Sequence, residues 1–340
     1  MEKLKKIIYV LIFIFLLTLS INCVNGILNY KTVEGFGHWY EYYKEKKNSI
    51  DVLLLGSSHI MRQINPSVIF REKGISSFDI ATGGESLWAT YYSMQEALKY
   101  QNPKVIVVDV FMARLDGQYY DDAHNITTTF GQKRDTIWVN NILSSVPKNR
   151  SWYFARYPLY HGRYKEINKT DFINKEERYK SLLKGFWVDE NNFKVKKIAK
   201  IEYKTIGGLS KNWNKKNEKY LKKIISLAKR KNIKLLFIQT PAIFNDKEIL
   251  LYNHVKEIAK NSNIPYLECN RYMDGIKLNE NTDFRDKDHL NYKGSNKLSK
   301  WFAILLSEKY NLKNHKGDSD FNSYEKEYKL WQKYIKTKGK

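Results

Sequence analysis

The chain has 340 residues, 42% of them hydrophobic, enough for one α/β domain of roughly 250 residues with accessories, or for two small domains. Its two cysteines, Cys23 and Cys269, exclude a disulfide framework and a cysteine-based zinc site. Lys+Arg number 59 against 36 Asp+Glu, a net charge of +23. That charge admits nucleic acid, anionic lipid or a phosphate-rich polymer as partner, or simply a solvated lysine-rich surface.

The N-terminus narrows the choice. Met1–Lys6 is short and basic, and Ile7 through Leu28 adds 22 residues without a charge. That length crosses a hydrocarbon core of roughly 30 Å. A buried core helix would keep a polar face over such a run. A cleavage site needs small residues at alternating positions, and Ser20-Ile21-Asn22 and Val24-Asn25-Gly26 each supply only one, so both are poor candidates. Asn22 also stands before Cys23, where lipoprotein processing uses Gly, Ala or Ser. An uncleaved single-pass anchor is expected, with Lys3, Lys5 and Lys6 inside and residues from about 30 onward outside. An exported chain does not meet nucleic acid, which leaves the membrane and an anionic surface polymer as partners.

Tyr30–Asn48 reads as a polar, aromatic juxtamembrane stretch, partly helical. Ile50–Leu55 is a short apolar run closed by Gly56, a buried strand. Ile69–Gly74 leads into a second strand, Phe78–Ala81. Tyr91–Tyr100 carries apolar residues at helical spacing, and Val105–Val110 is a third strand. Leu221–Lys231 is an amphipathic helix, Leu235–Gln239 a fourth strand, Ile249–Ala259 a helix, Tyr266–Cys269 a fifth strand, and Lys293–Leu306 a last helix. Strand, helix, strand at this spacing predicts parallel βαβ units. Between strands three and four, Phe111–Asn232 is too long for a plain loop. It holds Trp138, Trp152, Trp187 and Trp213 and reads as a helical, aromatic insertion over the substrate side of the sheet. Asn322–Lys338 places Tyr324, Tyr328, Trp331, Tyr334 and Ile335 on one helical face. Packing against the domain is favoured over an interfacial membrane helix.

Two loops carry chemistry. Gly56-Ser57-Ser58-His59 follows the first strand, where open parallel sheets bind ligands. The glycine allows a sharp turn, and a serine at a helix start has free N–H groups beside it. Asp286-Lys287-Asp288-His289 precedes the last helix. An Asp three residues before a His on a loop reaches imidazole Nδ1 while Nε2 faces a nucleophile. The Gly-x-Ser spacing favours Ser58 over Ser57, and the freer geometry favours Asp286 over Asp288. His59, next to Ser58, is expected to point away as a structural or rim group. Leu159–Tyr164 places His161 and Arg163 among aromatics, a candidate for binding sugar or anionic polymer as well as an ordinary packed loop.

The two loops, in this order, resemble the SGNH/GDSL hydrolase superfamily over about Ile50–Val110 and Leu235–Leu306. The resemblance implies an α/β, flavodoxin-like three-layer fold with a central parallel sheet. It implies Ser58 as nucleophile, His289 as base and Asp286 as its orienting carboxylate. It also implies backbone oxyanion donors at Ser58 and at Gly83 or Gly84, with Gly84 preferred. The Asn of the family's third block is absent from Asp109-Val110-Phe111-Met112-Ala113-Arg114. In that departure, and in the anchor, the chain is more similar to membrane-anchored acyltransferase branches, the DltD-like teichoic-acid D-alanylation and alginate-type O-acetylation proteins. The organisation implied is an anchor over 1–29, a juxtamembrane segment over 30–48, a catalytic domain over 49–310 with its insertion at about 111–232, and an amphipathic helix over 311–340. The function implied is serine-dependent O-acyl transfer, most simply O-acetyl, to a surface polysaccharide or teichoic-acid-like acceptor. An integral-membrane O-acyltransferase partner would supply the acyl group, with no cofactor and no metal. A carbohydrate esterase or deacetylase, D-alanyl transfer, and a non-catalytic polymer-binding role remain as alternatives.

Overall fold

The computed structural model describes residues 2–29, 33–172, 179–180 and 182–339. Two compact units are present, Met1–Thr32 with Pro147–Lys180, and Val33–Val146 with Ser181–Lys340.

The larger unit is built on five parallel strands: β1 (Val52–Leu55), β2 (Ser77–Asp79), β3 (Val105–Asp109), β6 (Lys234–Gln239) and β7 (Tyr266–Glu268). A separate antiparallel hairpin of β4 (Leu182–Leu183) and β5 (Phe186–Trp187) lies within the long insertion. The sheet order is β2-β1-β3-β6-β7, so the chain runs outward one way from β1 and then back past it. This is the flavodoxin-like doubly wound order, with its reversal between β1 and β3. Register pairs Leu54 with Val107, Val107 with Leu236 and Ile238 with Leu267.

The strands read as continuous apolar runs because both faces are covered. Leu53, Leu55, Ile106, Val108 and Phe237 point to one core, shared with Trp88, Leu221 and Val255 from the helices Leu87–Ala97, Lys215–Arg230 and Asp246–Asn261. Val52, Leu54, Val105, Val107 and Ile238 point to the other, with Ile69, Leu298 and Phe302 from Pro66–Lys73 and Tyr292–Lys309. Alternate residues of one strand thus serve two layers, which makes three layers in all.

One helix was not legible as such. Pro66–Lys73 is capped by Asn65, whose side chain accepts from the Ser67 amide; Pro66 sits in its first turn and Gly74, at φ +68°, ends it. Its start signals, Asn65 and Pro66, lie outside the Ile69–Gly74 run that suggested a lead-in to a strand, and its stop signal is that run's own Gly74. The insertion is divided between the two units. Thr136–Ser145 and the extended chain before Lys215 belong to the sheet unit, whereas Pro147–Lys180 belongs to the other. Trp138 and Trp213 are buried core residues.

The C-terminal helix Asn322–Lys338 packs on Pro66–Lys73. Tyr324 stacks on Phe70 at 4.7 Å, and Trp331 is fully buried, edge-on to Phe186, with Nε1 donating to Asn296 at 2.7 Å. Trp331→Ala is expected to lower unfolding free energy by about 3–5 kcal/mol, since it leaves a cavity and an unpaired amide partner. Urea denaturation at unchanged slope is the check; a loss under about 1 kcal/mol would mean that the helix is not integral to the unit.

The smaller unit holds the helix Glu2–Leu28, long and apolar enough to cross a membrane, with side chains from Leu4 to Val24 exposed. Short helical turns over Arg150–Ala155, Tyr157–Tyr160, His161–Glu166 and Lys169–Phe172 complete it. Of the juxtamembrane stretch, Tyr30–Thr32 lie outside the described residues; His38–Tyr42 is helical and belongs to the sheet unit.

Candidate active site

β1 ends at Leu55, and Gly56 turns the chain at φ +132°. A Cβ on Gly56 would stand 2.7 Å from the Asp109 Cβ, so only glycine lets the ends of β1 and β3 approach this closely. Ser57 caps the short helix Ser58–Met61. The two serines face different ways. The Ser57 hydroxyl donates to Asp109 Oδ2 at 2.5 Å, whereas Ser58 Oγ lies 2.8 Å from His289 Nε2.

His289 comes from the loop before the last helix. An isolated bridge between buried Phe284 and Leu290 closes that loop, and Asn291 caps the helix by accepting from the Lys293 amide at 2.9 Å. The Asp286 carboxylate meets His289 Nδ1 at 2.9 and 3.2 Å. Asp288 instead donates its amide to Asp286 at 2.9 Å, and its carbonyl accepts from Gln63 at 3.1 Å. Arg285 Nε donates to the far oxygen of Asp286 at 3.1 Å. Partial burial pushes the Asp286 carboxyl up, but the His289 hydrogen bond and charge, the Asp288 amide and the Arg285 charge outweigh it and hold it at about 2. A carboxylate ionised at neutral pH beside Nδ1 fixes that nitrogen as donor and leaves Nε2 free to accept from Ser58.

His59 is fully buried, which places it behind the site and not at its rim. Its ring stacks on Phe111 at 3.4 Å and lies 5.0 Å from the His289 ring, and its Nδ1 pairs with Thr240 Oγ1 at 2.8 Å. Burial, then the charges of His289, Arg114 and Arg285, hold it well below the ordinary histidine range, so it packs as a neutral wall.

The Ala81–Gly84 turn lies against the nucleophile loop, because the Thr82 amide donates to the Gly56 carbonyl at 3.1 Å. Gly83 donates its amide to the Glu34 carboxylate, while Gly84 adopts φ +62° beneath His124. Among the described residues, the amides of Ser58 and Gly84 donate to no protein acceptor. The turn after β3 offers no side-chain amide. Asp109 there accepts from the Ser57 amide at 3.3 Å, from the Ser57 hydroxyl and from the Phe111 amide at 3.1 Å. His161 and Arg163 belong to the smaller unit. His161 Nδ1 meets the Pro158 carbonyl at 3.0 Å, and Arg163 pairs with Asp171 and donates to the Asn29 carbonyl at 2.9 Å.

Asp109, Arg285, Glu34 and Gln63 carry no motif that marks them as site residues in the sequence. Arg285 stands directly before Asp286, and that adjacency was the one available signal. The others reach the site through tertiary packing: Asp109 from the end of β3, Glu34 from the Val33–Gly37 turn and Gln63 from just beyond the Ser58–Met61 helix.

Glu85, in the same turn, is fully buried and accepts from the Thr82 hydroxyl at 2.8 Å. Burial raises its carboxyl from 4.5 to about 8, against opposing hydrogen bonds from Thr82, Thr90 and Ser93. A folded pKa above the unfolded one means stability that is full below pH 4.5 and is lost as pH rises to about 8. Glu85→Gln is therefore expected to raise the Tm by several degrees at pH 9 relative to the parent, and little at pH 4. Thermal melts at the two pH values check this; an equal shift at both would contradict it.

No family model and no curated protein matches the sequence. Solved structures do resemble the chain. A G-D-S-L family lipolytic protein from Desulfitobacterium hafniense matches with 8% identity over 75% of this chain and 98% of its own, at a TM-score of 0.38. An acylhydrolase from Bacteroides fragilis matches with 11% identity over 80% and 94%, at 0.37. A gut microbial diltiazem-metabolizing enzyme matches with 12% identity over 77% and 47%, at 0.37. Likeness this slight leaves the chemistry to be argued from the chain's own residues.

Proposed function

We propose that the chain is a membrane-anchored, SGNH-like acyltransferase that acylates hydroxyls of a surface polysaccharide or teichoic-acid-like polymer. The observation that carries this reading is the Ser58–His289–Asp286 relay at the carboxyl end of the sheet. Ser58 Oγ attacks the donor's acyl carbonyl as His289 Nε2 takes its proton. The oxyanion that forms is met by the amides of Ser58 and Gly84. Collapse breaks the bond to the donor's leaving group, which receives the proton from His289, and the acyl group stays on Ser58. An acceptor hydroxyl then attacks, giving its proton to His289, and the acylated acceptor leaves with Ser58 restored. Asp286 stabilises the imidazolium in both halves.

Three features favour transfer over hydrolysis. The apolar helix Glu2–Leu28 would hold the catalytic unit at the membrane, where an integral-membrane partner would deliver the acyl group. The net charge of +23 attracts an acceptor bearing phosphate or carboxylate. A bound acceptor hydroxyl also gains an effective molarity on the order of 10⁵ M, against roughly 55 M for water. Full-length protein in detergent, given a chromogenic acyl donor with and without a glycan acceptor, is expected to release chromophore several-fold faster with acceptor and to yield acylated glycan by mass spectrometry. Brisk release unaffected by acceptor, with no acylated product, would favour an esterase. Unchanged surface acylation in cells carrying Ser58→Ala would favour a non-catalytic role.

A further inference from the structure

The smaller unit exposes an unusual set of side chains beside the end of the apolar helix. Trp152 is 44% exposed, Tyr157 48%, Tyr164 60%, Ile167 40% and Phe172 67%. These belong to the short turns over Arg150–Phe172, and those turns are tied to the last turn of the helix. The Tyr160 hydroxyl donates to Asn25 Oδ1 at 2.9 Å, and Arg163 donates to the Asn29 carbonyl at 2.9 Å. Arg163 is in turn held by Asp171, so both the Tyr157–Tyr160 and Lys169–Phe172 turns are fixed to one level of the helix.

That level is set by length. From Ile7, the first residue past the basic stub, to Gly26 is 20 residues. At 1.5 Å per residue they span about 30 Å, the thickness of the hydrocarbon core. Asn25 to Asn29 therefore stand where hydrocarbon gives way to headgroups. Aromatic side chains with an apolar body and a polar edge concentrate at that boundary, and long basic side chains reach past it to anionic headgroups. The segment 147–172 has six Lys/Arg (148, 150, 156, 163, 165, 169) against two Asp/Glu (166, 171), a net of +4. Exposed aromatics and this charge are what a bilayer interface attracts, and several exposed aromatics close together in sequence are costly to leave in water.

We propose that Arg150–Phe172 is an interfacial collar: it lies in the headgroup region of an anionic bilayer, around the exit of the anchor, with Trp152, Tyr164 and Phe172 immersed. His161 and Arg163 then serve the collar's own structure and its seat on the membrane, not a sugar. The inference rests on the reading of Glu2–Leu28 as a membrane span, and the test separates the two.

Full-length protein carrying Cys23→Ser is spin-labelled singly at Trp152→Cys, Tyr164→Cys or Phe172→Cys and reconstituted in 3:1 phosphatidylcholine:phosphatidylglycerol bilayers. A label at Phe13→Cys reports the anchor, and one at exposed Lys309→Cys gives the surface reference. The ratio of collisions with oxygen to those with a water-soluble nickel complex is expected to be highest at 13, and several-fold above the 309 value at 164 and 172. A deep 13 with 164 and 172 no different from 309, or shielded from both reagents by protein, would overturn the collar alone. A label at 13 no deeper than 309 would overturn the anchor and the collar together.

Discussion

Replacing His289 by alanine is expected to lower kcat on a chromogenic ester by about 10⁴-fold or more, and Ser58→Ala by a comparable factor. The reason is local. Among the described residues, the base within hydrogen-bond distance of Ser58 Oγ is His289 Nε2 at 2.8 Å, and an alcohol at neutral pH is a poor nucleophile without one. The two losses should not add, because the residues act as one unit. Asp286→Asn should cost on the order of 10³- to 10⁴-fold, since an amide in that place allows the wrong imidazole tautomer. Ser57→Ala is the discriminating control. Its hydroxyl faces Asp109, so most activity should survive. Loss of activity in Ser57→Ala with retention in Ser58→Ala would reverse the assignment.

The second large effect is expected at Asp109. Its carboxylate is buried and gathers three donors: the amide and hydroxyl of Ser57 and the amide of Phe111. Burial pushes this carboxyl up to about 6 against the pull of those hydrogen bonds and of Arg114. Asp109→Ala strands the donors in a dry corner, at about 1–3 kcal/mol for each unsatisfied group. A stability loss of about 3 kcal/mol or more is expected by chemical denaturation. Activity should fall at least 100-fold even where the variant is folded, because the Ser57 amide precedes the Ser58 amide proposed for the oxyanion. Asp109→Asn keeps one acceptor oxygen, which can still take the two Ser57 donors, and should be milder in both respects. An Asp109→Ala protein as stable and as active as the parent would show that the turn holds itself.

The legible parts of the chain were those with a local signal. β1, β3 and β6 stood out because both their faces are buried, so the runs VLLL, VIVVD and KLLFIQ lack polar alternation. Ser58 and His289, 231 residues apart, were each marked by their own loop, one by Gly56 and the other by Asp286. What was not legible depends on how strand ends meet. Nothing in the sequence near Glu34 points to Gly83, and nothing near Ser57 points to Asp109; the second pair exists because the ends of β1 and β3 converge, and the first because the Val33–Gly37 turn meets the turn after β2. The division of the long insertion was equally silent. Trp138 and Trp152 look alike in sequence, yet the first is core and the second is 44% exposed in the other unit. No periodicity separates them, since the turns over Arg150–Phe172 are too short to show any.

In the proposed reaction Ser58 carries the acyl group between donor and acceptor. The most direct measurement is rapid-quench mass spectrometry of the full-length protein after mixing with an activated acyl donor. One added acyl mass is expected, located by peptide fragmentation at Ser58, absent in Ser58→Ala, and discharged on addition of a glycan acceptor with the acyl group appearing on the glycan. An adduct on Ser57 or elsewhere, or acceptor acylation that proceeds unchanged in Ser58→Ala, would contradict it.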